Sequence, residues 1–190
     1  MSGCAFALFD TAIGRCALIW RDCAIVGASL PDESEERMLA GMARRFPNSR
    51  EAPPSPPVAA AIGAVQRLLA GEMEDFAGVE VDISALATFE RRVLEETRAI
   101  PCGETRTYGQ IAASIGAPDA ARAVGRALGR NPVPIIIPCH RVVGTAGKSG
   151  GFSAPGGAST KFRILQIERA RLGSDSGLFA DLPLALKPGG

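Results

Sequence analysis

No part of the chain has fewer conformational options than the stretch Pro132-Val133-Pro134-Ile135-Ile136-Ile137-Pro138. Each proline fixes its own φ, removes a backbone donor and pushes the residue before it out of the helical region. The apolar residues between them are therefore expected to form a buried, extended segment. It runs directly into Cys139-His140-Arg141-Val142-Val143, which puts a cysteine beside the only histidine of the chain. A free thiol with a pKa near 8.5 is only a few per cent thiolate at neutral pH, so a reactive Cys139 needs a base or a positive neighbourhood. His140 and Arg141 are candidates for both. An inert cysteine buried in an apolar segment is the alternative at this stage. Neighbours in an extended segment point to opposite sides, so His140 is expected to reach the thiol only through a bridging water. A cysteine hydrolase would need a histidine spaced away from the cysteine, and there is none.

The balance of 46% hydrophobic and 22% charged residues is that of an ordinary globular chain of 190 residues, enough for two small domains. No run approaches the roughly 18 apolar residues of a membrane span, and the first residues lack the basic and apolar regions of a secretory signal. With five cysteines, an odd number, reduced thiols and a cytoplasmic location are expected rather than a disulfide scaffold. The net charge of +1 hides an asymmetry. Residues 1–100 carry 10 basic and 15 acidic side chains, whereas residues 101–171 carry 10 basic and 3 acidic ones. A polyanion-facing C-terminal half is one reading of this, and a solvated basic face is the other.

Turn-separated apolar stretches at Ala5–Phe9, Thr11–Gly14, Cys16–Trp20 and Ala24–Ala28 predict an antiparallel meander, with Trp20 in the core. Helices are expected over Glu33–Phe46 and Val58–Leu69, with a loop over Arg50–Pro57 and a strand over Val79–Ile83. A second unit is expected from about residue 86. It opens with a helix capped by Thr88, whose Arg91 and Arg92 read as a solvated face, and Cys102 reads as a spare thiol. Short helices over Tyr108–Ile115 and Asp119–Leu128, joined by Gly116-Ala117-Pro118, make a helix-turn-helix candidate. A glycine- and serine-rich loop over Gly147–Gly157, a last helix over Thr160–Leu172 and a poorly ordered tail over residues 173–190 complete the expectation.

The second helix of the candidate pair has a nearly bare face made by Ala120, Ala121, Ala123, Gly125 and Ala127. Close helix packing is one use of such a face, and close approach to another surface is the other. Arg122, Arg126 and Arg130, spaced by four residues, form a basic row beside it, which favours phosphate contacts and insertion into a groove or a base stack.

Ile137-Pro138-Cys139-His140-Arg141-Val142, preceded by Gly129-Arg130-Asn131-Pro132 and Ala121-Arg122-Ala123-Val124-Gly125, resembles the O6-alkylguanine-DNA alkyltransferase family closely over residues 87–170. The resemblance implies a mixed α/β (α+β) fold. Residues 1–85 would form a ribonuclease-H-like domain with a small antiparallel sheet. Residues 86–172 would form a mainly helical, winged-helix-like domain that binds duplex DNA through the minor groove and flips out the alkylated guanine. It implies a monomeric DNA-repair protein with no cofactor, acting once per molecule as a methylated-DNA–protein-cysteine S-methyltransferase.

By resemblance, Cys139 is the alkyl acceptor, His140 its water-mediated base and Glu168 the carboxylate that orients the histidine. Tyr108 crowds the 3′ phosphate or donates to the departing purine, Arg122 replaces the extruded base, and Asn131 buttresses the helix-turn-helix against the active-site segment. Gln110, Ala121, Ala123, Gly125, Arg126, Arg130 and Arg141 are expected at the DNA, and Pro134, Val142, Phe152 and Ser153 around the substrate base. The loop Gly151–Gly157 is a couple of residues longer than in familiar members. The structural zinc that some members hold with two cysteines and two histidines cannot form with His140 alone; Cys4, Cys16 and Cys23 with an acidic fourth ligand would be the only variant, and no metal is expected. Whether the pocket takes larger alkyl groups or O4-alkylthymine is left open. A recognition protein that flags the lesion without transfer is the alternative function, against which the retained Cys139 argues.

Overall fold

The computed structural model describes residues 3–145 and 150–171. Among these, four strands form one sheet and six α-helices surround it and the proline-rich segment, a mixed α/β architecture. β1 (Ala5–Thr11), β2 (Gly14–Arg21) and β3 (Ala24–Ser29) are successive antiparallel hairpins, with Ala5 opposite Trp20 and Thr11 opposite Gly14. The two-residue turn after Thr11 needs Gly14 at φ +127°, and the turn after Arg21 holds Asp22 at φ +54°. Trp20 is buried, as the alternation predicts.

α1 (Glu35–Arg45) begins two residues later than expected, because the Ser34 hydroxyl accepts the amide of Arg37 as an N-cap. The stretch predicted as a loop contains β4 (Arg50–Glu51), which pairs in parallel with the start of β1, giving the order β3-β2-β1-β4. α2 (Pro56–Leu69) starts at Pro56 rather than Val58, since proline is tolerated in a first turn that has no use for its amide. The predicted strand over residues 79–83 reduces to one bridge, Ile25 to Val81, with Arg98 bonding the carbonyls of Phe76 and Val79 beside it.

In the C-terminal half, α3 (Thr88–Arg98) is preceded by Ala87 at the N-cap, so Thr88 does not cap it. Arg92 is not simply solvated: its guanidinium bonds the Ile115 carbonyl at the end of the next helix. β5 (Arg106–Thr107) leads into α4 (Tyr108–Ser114), which Thr107 and Gln110 close with a reciprocal capping box. A turn with Gly116 at φ +73° then leads to α5 (Ala121–Leu128). β6 (Val142–Val143) pairs in parallel with β5. α6 (Gly157–Ile167) begins three residues earlier than expected, after Gly156 in the left-handed region, and ends at Ile167 with Glu168 as C-cap. The expected tail lies outside the described residues.

The core is built on the proline-rich segment. Ile135, Ile136 and Ile137 are each about 1% exposed and join the cluster that contains Leu18 of β2, Leu68 of α2, Leu94 of α3 and Ile164 of α6. Burial of each such side chain contributes about 1.5–3 kcal/mol. The segment is not simply extended. The Ile137 amide bonds the Val133 carbonyl, Ile135 sits at φ +76°, and Cys139–Arg141 close a 3₁₀ turn. A β-branched residue in the left-handed region costs on the order of 1–3 kcal/mol, which only a tightly determined surround sustains. The two halves are tied by main-chain bonds from Ala28 to Pro132 and by Arg163 of α6 to the carbonyls of Ala12 and Ile13.

The capping box fixes the start of the helix that carries Tyr108. Thr107→Ala is expected to cost about 1 kcal/mol, lowering Tm by roughly 2–4 °C in a thermal melt.

Candidate active site

Cys139 lines a cavity of about 760 Å³, walled by α4, α5, Gly144, Thr145 and residues 151–153. Each wall has a local cause. α5 presents Ala121, Arg122, Gly125, Arg126 and Leu128 to the cavity while the buried Val124 and Ala127 anchor the helix. Tyr108, first residue of α4, packs over Gly125 and donates its hydroxyl to the Gly151 carbonyl at 3.3 Å. Phe152 and Ser153 close the far side. Gly150, at φ +64°, leaves no room for a Cβ against the Tyr108 ring, so glycine there is what lets the ring sit where it does.

Beneath the thiol is a buried charged cluster. Arg141 and Glu168 form a two-point pair, Nε to Oε2 at 3.0 Å and Nη2 to Oε1 at 2.8 Å, and Arg141 also donates to the Ile100 carbonyl. Glu168 Oε1 accepts from His140 Nε2 at 2.9 Å. Burial alone would raise the Glu168 carboxyl, but its bonds to His140 and Arg141 outweigh that and hold it well below the usual carboxylate range. Burial pushes the His140 pKa down, against the upward pull of Glu168. The consistent assignment is an anionic Glu168 balanced by Arg141 and a neutral His140. A carboxylate can only accept, so Nε2 carries the proton and Nδ1 presents a lone pair. That Nδ1 is buried and has no hydrogen-bond partner among the described residues.

Burial also raises the Cys139 thiol pKa, and the groups that oppose this are the Asn131 side chain, the Lys161 ammonium and nearby backbone. Asn131, just past α5, spans the strained turn: its amide donates to the Ile137 carbonyl and its oxygen accepts the Val133 amide. Lys161 is fully buried. Its Nζ donates to the Val142 carbonyl at 2.6 Å and lies 5.8 Å from the Tyr108 ring centroid. Desolvation brings its pKa to about 8, partly offset by Cys139. The sequence reading missed Lys161. The signal was present: Lys161, Ile164, Leu165 and Glu168 fall at the spacing of one helical face, so a lysine and a glutamate share the buried stripe of α6.

Several expected contacts are corrected. Arg141 cannot reach a DNA surface, because it is 2% exposed and spent on Glu168 and Ile100. Val142 does not line the substrate cavity: its side chain is fully buried in the core and its carbonyl holds Lys161. Arg130 points away from the row formed by Arg122 and Arg126 and pairs with Glu90. Gln110 is exposed, with its amide oxygen engaged in the capping box. Ala123 is half-buried on α5. Pro134 lines an adjoining cleft that also reaches Cys139. Cys102, read as a spare thiol, is buried near Glu168 and Arg141, with its pKa raised chiefly by burial. No group of three or more His, Cys, Asp or Glu side chains among the described residues could hold a metal ion.

Glu168 has a depressed pKa in the fold, so its stabilisation is present above about pH 4.5 and is lost as pH falls toward about 2. Glu168→Gln leaves Arg141 buried without its counter-ion and is expected to cost about 3–5 kcal/mol at pH 7. Urea unfolding should show that difference shrinking as pH drops below 4.5.

A family model described as the DNA-binding domain of 6-O-methylguanine DNA methyltransferase matches residues 88–170. A methylated-DNA–protein-cysteine methyltransferase of Mycolicibacterium paratuberculosis is 39% identical over 173 residues, 90% of this chain and 95% of that protein. One from Mycobacterium bovis is 48% identical over 120 residues, 62% of this chain and 70% of its own length. A crystal structure of Mycobacterium tuberculosis OGT in complex with DNA superposes with a TM-score of 0.72 at 35% identity, covering 87% of this chain and 92% of that one. With this similarity running along nearly the whole chain and through the Cys139 segment, the chain belongs to the methylated-DNA–protein-cysteine methyltransferase family.

Proposed function

We propose that the protein repairs DNA by direct reversal, moving the alkyl group of O6-alkylguanine onto Cys139, once per molecule. The observation that carries this reading is a thiol lining a cavity of about 760 Å³, roomy enough for a flipped base, next in the chain to a histidine whose Nε2 proton is held by Glu168.

Duplex DNA lies along α5 by its minor groove, where the small residues allow close approach and Arg126 meets phosphate. The alkylated nucleotide turns out of the stack into the cavity and Arg122 takes its place. Extrusion costs a few kcal/mol, offset by the inserted arginine and the pocket contacts. A water bridges Cys139 Sγ and His140 Nδ1, and the thiol proton passes through it to the imidazole, whose new charge Glu168 balances. Lys161 favours the thiolate that results. Sulfur attacks the O6 alkyl carbon as the C–O bond breaks. The departing purine takes a proton at N3 from Tyr108, kept protonated until then by burial and by Cys139. Tyr108 regains a proton through solvent as the His140 imidazolium gives its own up, so the thiol proton is the one the purine gains in the net reaction. The thioether does not hydrolyse, so activity ends there. O4-alkylthymine presents the same alkyl–oxygen bond and is a second, poorer substrate.

Residues 1–85 then serve as the supporting domain and residues 86–172 as the DNA-binding and transfer domain. The protein works as a monomer in the cytoplasm, consistent with five free cysteines.

Incubation with a duplex carrying radiolabelled O6-methylguanine is expected to label the protein and to leave Cys139→Ser unlabelled. Equal labelling of both, or none of wild type, contradicts transfer to Cys139, and retained lesion binding without label would favour the recognition-only alternative. Arg122→Ala is expected to slow repair of duplex DNA far more than reaction with free O6-benzylguanine. Equal losses on both would make Arg122 structural. His140→Ala is expected to reduce the transfer rate by about 10²-fold or more.

A further inference from the structure

Cys139 opens on two cavities. Besides the one that faces α5, a cleft of about 420 Å³ runs from the thiol toward the N-terminal half, between the active-site segment and α1. Leu30, Met38 and Gly41 wall it on one side, and Pro134, Phe152 and Ala154 on the other. Cys139, Phe152 and Ser153 line both cavities, so the thiol sits at their junction.

Resting on the transfer reading above, we infer that this cleft receives the distal part of extended O6 substituents, and that Arg44 makes chains ending in a carboxylate the preferred ones. Displacement at carbon requires sulfur, carbon and O6 to lie nearly in line, so the rest of a substituent must stand off to the side of that line. The first cavity is filled by the base and by the DNA on α5. The second cleft also opens at the sulfur, and at about 420 Å³ it is many times larger than a methyl group, which is about as large as a water of ~30 Å³. The reaction is the same for any chain: the S–C bond forms, the C–O6 bond breaks, and the proton lost by the thiol is balanced by the one gained by the purine.

The charge of the cleft sets its preference. Arg44, Arg45 and Arg130 line it, and Arg130 is paired with Glu90. Arg45 is committed to the carbonyls of Ala28 and Pro132. Arg44 has no acidic partner among the described residues, whereas the one carboxylate in the wall, Asp32, faces Arg37 at 3.6 Å. An anionic chain end therefore meets an uncompensated guanidinium, at the outer end of a cleft whose inner walls are apolar.

Single-turnover rates on duplexes containing O6-methylguanine, O6-pentylguanine or O6-(4-carboxybutyl)guanine test this in wild type, Gly41→Leu, Ala154→Leu and Arg44→Ala. A Cβ at Gly41 meets only the flexible end of Arg44, at 3.9 Å, so leucine there fills the cleft without disturbing α1. Either leucine variant is expected to keep the methyl rate within about twofold while slowing both long chains about tenfold or more. Ala154→Leu approaches from the opposite wall, so the test survives if one variant misfolds. Arg44→Ala should abolish a carboxylate-over-pentyl preference of about two- to fivefold, the scale of an exposed ion pair, and raised salt should do the same in wild type. Unchanged pentyl rates in both leucine variants, or equal slowing of methyl and pentyl, overturn the cleft. A carboxylate preference that survives Arg44→Ala overturns the role of that arginine. Loss of methyl transfer in wild type would be a different failure, that of the transfer reading itself.

Discussion

The buried pair between Arg141 and Glu168 is the interaction on which the site depends. It joins the 3₁₀ turn after the proline-rich segment to the C-cap of α6, at a depth where neither charge could stand alone. Such a pair contributes little net stability over a well-packed apolar replacement, but removing one partner is costly. Its value is positional. With Arg141 neutralising it, Glu168 can accept the Nε2 proton of His140 without drawing a second proton onto the ring. That leaves a lone pair on the buried Nδ1, while burial keeps the Cys139 thiol protonated at rest.

The same segment links the cavity at Cys139 to α5. Asn131 follows α5 by three residues and spans the turn that carries Ile135 in its left-handed conformation. A shift of α5 would therefore be felt at Ile137 and, two residues on, at Cys139. Tyr108, held by the capping box of α4 and boxed in by Gly125 and Gly150, makes the second connection between the helix pair and the cavity. Lys161 lies between Tyr108 and Cys139, close enough to act on both.

Much of this was legible in the sequence. The hairpins follow from alternation and turn residues, and the arginine row on α5 from four-residue spacing. Cys139 and His140 stood out as an isolated pair in a proline-bounded run. The misses have physical causes. β4 is two residues long, too short to leave a pattern, and the alternation at 79–83 is spent on a single bridge. Arg141 reads as a surface cation beside the DNA-facing residues, because only its distant partner Glu168 accounts for its burial. Val142 is expected at the base pocket by resemblance, but the 3₁₀ turn before it places its side chain in the core. Lys161 was hidden by its type, since lysine on a helix is normally solvated. The left-handed Ile135 leaves no trace in composition at all.

Since His140 is the only histidine of the chain, its imidazole can be observed without assignment by mutation. A ¹⁵N NMR titration of the ring reads the proton arrangement directly. The expected spectrum at pH 7 is a neutral imidazole with its proton on Nε2, gaining a second proton only well below its ordinary 6.5. A ring that is already cationic at pH 7, or one that carries its proton on Nδ1, would contradict the account, because no lone pair would then be left on Nδ1 to take the thiol proton.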